Sequence, residues 1–275
     1  MAGQRAMDSM ADGVADTDGR GGVPGVSVVV LSSARTDDLA DCLTSLAAQQ
    51  QLSGSLEVVL VVFGTRPFAP DEGGQIRRQH PSLPLRIVSR PGASRTAARE
   101  AGIATARCQF LTILDEGDTV GPAFVRALHE AAHPGVVPMI APAGMATIAI
   151  PDEPPGRVLS AGEFSAALAF DGGKLVPAAW ARSIRVNHPT GRRADASFWA
   201  QLVARRQFSL ELCDASPDAA YHRHHTGGHA PGLDELVTDP IATPARDAKL
   251  RKVSAAAPSS ATIARPAFSI FLAVG

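Results

Sequence analysis

The sequence predicts an α/β fold, a three-layer α/β/α sandwich with a mostly parallel central sheet, and three observations lead to it. Short β-branched apolar runs alternate with amphipathic or small-residue helical stretches through the first half of the chain. The runs are nearly continuous rather than alternating apolar and polar, as strands covered on both faces require. One of them, Phe110 to Leu114, has only Thr112 polar and stops at Asp115-Glu116-Gly117-Asp118. That turn sits at the C-terminal end of a buried strand, where open α/β sheets bind ligands.

Taken in order, residues 1–22 are rich in Gly, Asp and Ala without periodicity and read as a disordered tail. Val26 to Leu31 is a buried parallel strand. Thr36 then N-caps a helix with Asp37 and Asp38 in its first turn, and Leu39, Cys42, Leu43 and Leu46 form one apolar face. Leu56 to Phe63 is the second strand, ended by Gly64. A Pro- and Gly-containing excursion from Pro67 to Pro84, with a short helix near Gln75 to Gln79, leads to a third strand, Leu85 to Val88. Gly92 and Ser94 open a helix, Arg95 to Ala106, whose Ala97, Ala98, Ala101 and Ala104 suit close packing, and the acidic strand follows. Pro122 fits a first helical position, with Phe124 and Leu128 facing inward.

The second half is less regular. Val136 to Ile140 and Ala146 to Ile150 read as strands, Ala161 to Phe170 as a helix capped by Ser160, and Lys174 to Val176 as a short strand. Asp195 to Arg206 reads as a helix burying Phe198 and Leu202, with Trp199 and Val203 as further candidates for burial, and Phe208 to Cys213 and Ala219 to Arg223 read as further strands. The resulting division is a tail over 1–22, a domain over 23–231, and a Pro-, Ala- and Ser-rich tail or linker over 232–275. Within the last, Ala267 to Val274 is a strand that would begin another domain of a longer chain or dock onto the core.

Composition narrows the function. A net charge of -1 points away from nucleic acid, and the 26 basic residues, 23 of them Arg, reflect an Arg-, Ala-, Gly- and Pro-rich bias rather than a phosphate-binding patch. Cys42, Cys108 and Cys213 are odd in number and lack metal spacing, as small core residues in a reducing compartment would. With no signal pattern and no bilayer-length apolar run, a cytoplasmic location is expected, with peripheral membrane contact left open. Three carboxylates in four residues repel one another unless a cation or solvent neutralises them. Oxygen ligands on a rigid strand end suit Mg²⁺ or Mn²⁺; the alternative is a solvated acidic turn, which Gly117 also suits. His222, His224, His225 and His229 suggest a transition-metal site when read alone, although a strand followed by a loop need not bring them together.

The ordered series of motifs resembles the family 2 glycosyltransferases with a GT-A fold, over roughly Val26 to Gly228. It comprises Cys42-Leu43-Thr44-Ser45-Leu46-Ala47-Ala48-Gln49 in the first helix and Gly92 to Gly102 as a G-x-S-x-A-R-N-x-G-like segment. Leu114 to Asp118 stands where the family has its metal-binding D-x-D, Ala194-Asp195-Ala196-Ser197-Phe198-Trp199 where it has an acidic pair before an aromatic helix, and His222-Arg223-His224-His225, beside Tyr221, where it has Y-R-x-H.

The resemblance implies transfer of a sugar from a nucleotide-sugar donor to a glycan, lipid-linked or small-molecule acceptor, with Mn²⁺ or Mg²⁺ offsetting charge on the leaving diphosphate. Asp115, Asp118 and His225 are implied as metal ligands, with His224 the rival of His225. Ser32, Phe63, Arg99, Asp115 and Glu116 are implied as donor-contacting residues, Arg99 by meeting the diphosphate or by bracing the acidic loop; the alternative for Arg99 is an ordinary surface arginine. Asp195 is implied as the general base of an inverting displacement, against the plainer role of favouring a helix N-terminus. Arg182, Arg185, Arg192 and Arg193 would meet an anionic acceptor or simply form solvated surface. There are departures. Val62-Phe63-Gly64-Thr65 stands where the family carries D-D-G-S, Gly117 replaces the second acid of D-x-D, and Ala194 replaces the first acid of the pair. They raise a second expectation, a degenerate GT-A domain that binds a glycan or protein without turnover.

Overall fold

β1 (Val23–Ser32) runs through the middle of the molecule, and every residue from Val26 to Ser32 is buried, so both of its faces are covered. The computed structural model describes residues 22–33, 36–65, 69–145, 148, 156–185, 193–213 and 216–223. After β1, α1 (Thr36–Ala47) buries Leu39, Cys42, Leu43 and Leu46, the face that their spacing predicts. β2 (Ser55–Gly64) follows. α2 (Pro70–Gln79) opens on proline, with Asp71 and Glu72 in its first turn and Arg77 and Arg78 in its last, complementing the helix dipole at both ends. β3 (Leu85–Pro91) leads into α3 (Arg95–Thr105), whose N-cap Ser94 accepts a hydrogen bond from the Ala97 backbone N–H at 3.3 Å. β4 (Cys108–Asp115) carries the acidic end.

In sheet order these strands are β3-β2-β1-β4, all parallel. The register sets Leu31 opposite Asp115 and Ser32 opposite Val62, so the ends of β1, β2 and β4 lie side by side. The expected mostly parallel sheet flanked by helices is therefore the one present.

The remaining elements are short. β5 (Thr119–Val120), α4 (Phe124–Glu130), β6 (Val136–Met139) and β7 (Arg157–Val158) precede α5 (Ala161–Ala167). Next come β8 (Val176–Pro177), α6 (Ala178–Arg182), α7 (Arg193–Arg205), β9 (Ser209–Leu212), a 3₁₀ turn at Pro217–Ala219, and β10 (Tyr221–His222). β8 pairs antiparallel with β4, β10 pairs antiparallel with β5, and β6, β9 and β7 form a separate three-stranded sheet. The helix expected to reach Phe170 stops at Ala167, where the carbonyls of Ala167, Phe170 and Gly172 turn onto the Lys174 ammonium. Pro122 lies in the turn ahead of α4, whose N-cap is Ala123, rather than inside the helix. The strand expected over 146–150 lies outside the described residues except for Ile148, as do the tails expected over 1–22, except Gly22, and over 232–275. Among the described residues no helix is long and apolar enough to cross a membrane, and the three cysteines are buried and outside any disulfide.

α3 reaches the sheet through Gly102, where an added Cβ would be driven into Cγ1 of Val29 and would crowd Val61. Overpacking of a filled core costs about 1–3 kcal/mol. Gly102→Ala is expected to lower the free energy of unfolding in urea by about that amount; an unchanged denaturation midpoint would mean that α3 is not seated on β1 and β2 as described.

Candidate functional site

The acidic turn is folded by its own backbone. Glu116 donates its N–H to the carbonyl of Leu31 at 3.0 Å, and Asp118 donates its N–H to the carbonyl of Asp115 at 3.0 Å. The three acids then face different partners. The Glu116 carboxylate accepts from Ser32 Oγ at 2.7 Å and Ser33 Oγ at 2.6 Å, clamping the turn to the end of β1. Asp118 is turned inward, 2% exposed, and its Oδ2 accepts from the Asp115 N–H and the Tyr221 hydroxyl, each at 3.0 Å. Burial, followed by the charges of Asp118 and Asp115, pushes the Tyr221 hydroxyl well up, which keeps it protonated and donating. Asp115 is the acid whose side chain reaches solvent, at 44% exposure.

Asp115 is held by Arg95, the first residue of α3. Arg95 Nη2 donates to both carboxylate oxygens, at 2.7 and 2.9 Å. Nη1 of the same guanidinium donates to Oδ2 of Asp171 at 3.0 Å. Asp171 is buried in the loop after α5 and also receives Nη1 of Arg99 at 3.2 Å and the Trp199 indole N–H at 3.0 Å. Burial alone would push the Asp171 carboxyl up, but Arg99 and then Arg95 outweigh it and hold the group well below the usual carboxylate range. The Arg99 guanidinium lies over the Phe198 ring at 4.8 Å, and the Lys174 ammonium lies between Phe170 and Trp199, at 3.9 and 4.6 Å from the ring centroids. Side chains from α3, the 170–174 loop and α7 thus meet behind the end of β4. Gly172 and Gly173 make room for Tyr221, since a Cβ on Gly172 would meet its hydroxyl and one on Gly173 the Ile140 carbonyl and the Tyr221 ring.

The structure brings Ser32, Arg99, Asp115, Glu116 and Asp118 to one end of the sheet, in arrangements that differ from those expected. Ser32 is fully buried on Glu116. Arg99 has no exposed side-chain surface, so it neither meets a diphosphate in solvent nor lies on a helix surface; Arg95, one turn earlier, is the arginine that braces the acidic loop. Asp118 faces Tyr221 rather than standing beside Asp115 as a second exposed ligand. Phe63 is half-buried at the end of β2, opposite Arg90 of β3. Asp195 falls in the first turn of α7, with its side chain outside the described residues, as are His224 and His225. Arg95, Asp171 and Ser33 were not singled out from the sequence, and Trp199 and Tyr221 entered only as members of motifs, without the partners found here. Their partners lie 20 to 103 residues away in the chain, and no local spacing signals them.

Among the described residues no group of three or more His, Cys, Asp or Glu side chains is arranged to hold a metal ion. Asp115 faces a guanidinium, both Glu116 oxygens accept serine hydroxyls, and Asp118 accepts from Tyr221. As arranged, these side chains do not fit the oxygen cage of Mn²⁺ or Mg²⁺.

No family model matches the chain, and no curated protein does. Solved structures do. TarS 1-349 from S. aureus in complex with UDP-GlcNAc is 17% identical over 75% of this chain and 60% of that one, with a TM-score of 0.56. The mannosyltransferase PcManGT from Pyrobaculum calidifontis, in complex with GDP-Man and Mn²⁺, is 16% identical over 73% of this chain and 56% of that one, with a TM-score of 0.52. The likeness is one of fold. The alignment spans about 60% or less of the length of these structures.

Asp171 also makes stability depend on pH. Its folded-state pKa is depressed, so its contribution is fully present above the unfolded carboxyl pKa of about 4 and is lost as pH falls below it. Asp171→Asn removes the carboxylate that buried Arg99 and Arg95 share and is expected to cost about 3–5 kcal/mol at pH 7. Urea unfolding of both proteins should show the gap narrowing below about pH 4. A gap that stays constant from pH 7 to pH 3 would contradict this account of the cluster.

Proposed function

We propose that the chain is a glycosyltransferase of the family 2, GT-A type. In this reading residues 23–231 form the catalytic domain and transfer a sugar from a nucleotide-sugar donor to a hydroxyl of a glycan, lipid-linked or small-molecule acceptor. The observation that carries the reading is the position of Asp115, the solvent-facing carboxylate at the C-terminal end of a buried parallel strand, alongside the ends of β1 and β2. It is supported by fold likeness to proteins solved with UDP-GlcNAc, with UDP, and with GDP-Man and Mn²⁺.

The donor's diphosphate would lie across the ends of β1 and β4, and the half-buried Phe63 would stack on the base from the end of β2. Asp195 would take the acceptor hydroxyl's proton as that oxygen attacks the anomeric carbon, giving inversion in a single displacement. Its helix is tied to the acidic turn through Trp199, one turn further on, whose indole N–H holds Asp171 and thereby Arg95. Mn²⁺ or Mg²⁺ belongs to this reading only if Asp115 exchanges Arg95 for the ion. Three buried cysteines outside any disulfide agree with the reducing interior in which cytosolic nucleotide sugars would be met.

A second reading, a GT-A domain that binds a glycan or protein without turnover, is favoured by one observation. Asp115 is already neutralised by the chain's own arginine, and Gly117 supplies no second carboxylate.

Asp195→Asn separates the two. As general base, Asp195 contributes a factor of about 10² to 10⁴, so the variant should lose transfer by roughly that factor while nucleotide affinity changes little. If Asp195 only favours the helix N-terminus, the change should cost under about 1 kcal/mol of stability and leave any activity intact. Unchanged turnover in a folded Asn variant would remove Asp195 from the mechanism.

A further inference from the structure

We infer that the guanidinium of Arg95 holds, at Asp115, the place that a divalent cation would take, so that the folded protein excludes Mn²⁺ from its acidic turn. Both oxygens of Asp115 accept from one nitrogen, Nη2, at 2.7 and 2.9 Å. A hard cation would need those same oxygens at about 2.0–2.2 Å, which the guanidinium in front of them prevents.

Arg95 is not a surface side chain that swings aside at little cost. Nη1 is held at 3.0 Å by Asp171, whose side chain is 2% exposed and is fixed in turn by Arg99 and the Trp199 indole. The guanidinium is therefore bridged between two carboxylates, one buried and one facing solvent, and moving it would uncover charge on both.

The other acids do not make up a competing cage. Glu116 has both oxygens on serine hydroxyls at the end of β1, Asp118 faces Tyr221 from a buried position, and position 117 is glycine. Among the described residues, the acid that a cation arriving at the turn would meet is Asp115, already paired. The inference concerns the same site as the proposed function, but ion exclusion stands or falls without reference to transfer, so failure of one is distinguishable from failure of the other.

The test is direct titration of the full 275-residue chain with Mn²⁺, reading the free ion by electron paramagnetic resonance. Arg95→Met keeps the aliphatic stem and removes the charge, leaving Asp115 and Asp171 facing the vacated volume. It should bind Mn²⁺ roughly tenfold or more tightly than the unaltered protein. Arg95→Gln, which can still hydrogen-bond Asp115 but carries no charge, should shift in the same direction and keeps the test available if the Met variant does not fold. Adding Asp115→Asn to either variant should return the affinity to that of the unaltered chain. The inference is overturned if the unaltered chain binds Mn²⁺ as tightly as both variants, or if the gain survives Asp115→Asn.

Discussion

One buried carboxylate, Asp171, organises the end of the sheet where the candidate site lies. Taking a carboxylate out of water is costly unless cations and hydrogen-bond donors meet it in good geometry. Here Arg95 and Arg99 supply the cations and Trp199 a third donor. Each donor belongs to a different place in the fold, the two arginines to successive turns of α3 and the tryptophan to α7. Satisfying Asp171 therefore fixes how the helix beside β1 and β2, the helix carrying Asp195, and the loop between α5 and β8 come together. The two glycines after Asp171 answer a second requirement, since Tyr221 must pass close to that loop to reach Asp118.

The network also divides labour among the acids. Glu116 and Asp118 shape the turn, one through serines of β1 and the other through Tyr221 and the Asp115 backbone. Only after both are satisfied does the strand end present Asp115 to solvent in a fixed position. What reaches that carboxylate first is the chain's own Arg95, positioned by Asp171 rather than by anything bound. An internal guanidinium and a bound cation are alternative ways of neutralising the same charge.

The parallel core was legible because its signal is local. Val26 to Leu31 and Leu56 to Phe63 are apolar without alternation, and a run of that kind at strand length has few other places to go. The position of Asp115 followed from the end of the same kind of run. Of the two-residue strands, β10 falls inside the strand read over Ala219 to Arg223 and β8 overlaps the one read over Lys174 to Val176, whereas β5 and β7 were not legible, because pairing with distant segments, and not their own residues, decides that they are strands. Nor could spacing decide between Arg95 and Arg99. They are one turn apart on one helix, and which of them meets the acidic turn depends on Asp171, more than 70 residues on. The roles of Glu116 and Asp118 were hidden for the same reason, since Ser32, Ser33 and Tyr221 are remote in sequence.

The central claim is that the end of the sheet at Asp115 receives the diphosphate of a nucleotide. Calorimetric titration of the full chain with UDP, GDP, CDP and dTDP, each with and without Mn²⁺, tests it most directly. The account predicts saturable binding of at least one nucleoside diphosphate, no tighter with Mn²⁺ than without it because Arg95 already occupies both Asp115 oxygens, and changed in affinity when Asp115 is replaced by alanine. Absence of binding by all four in both conditions, or binding indifferent to Asp115, would contradict it.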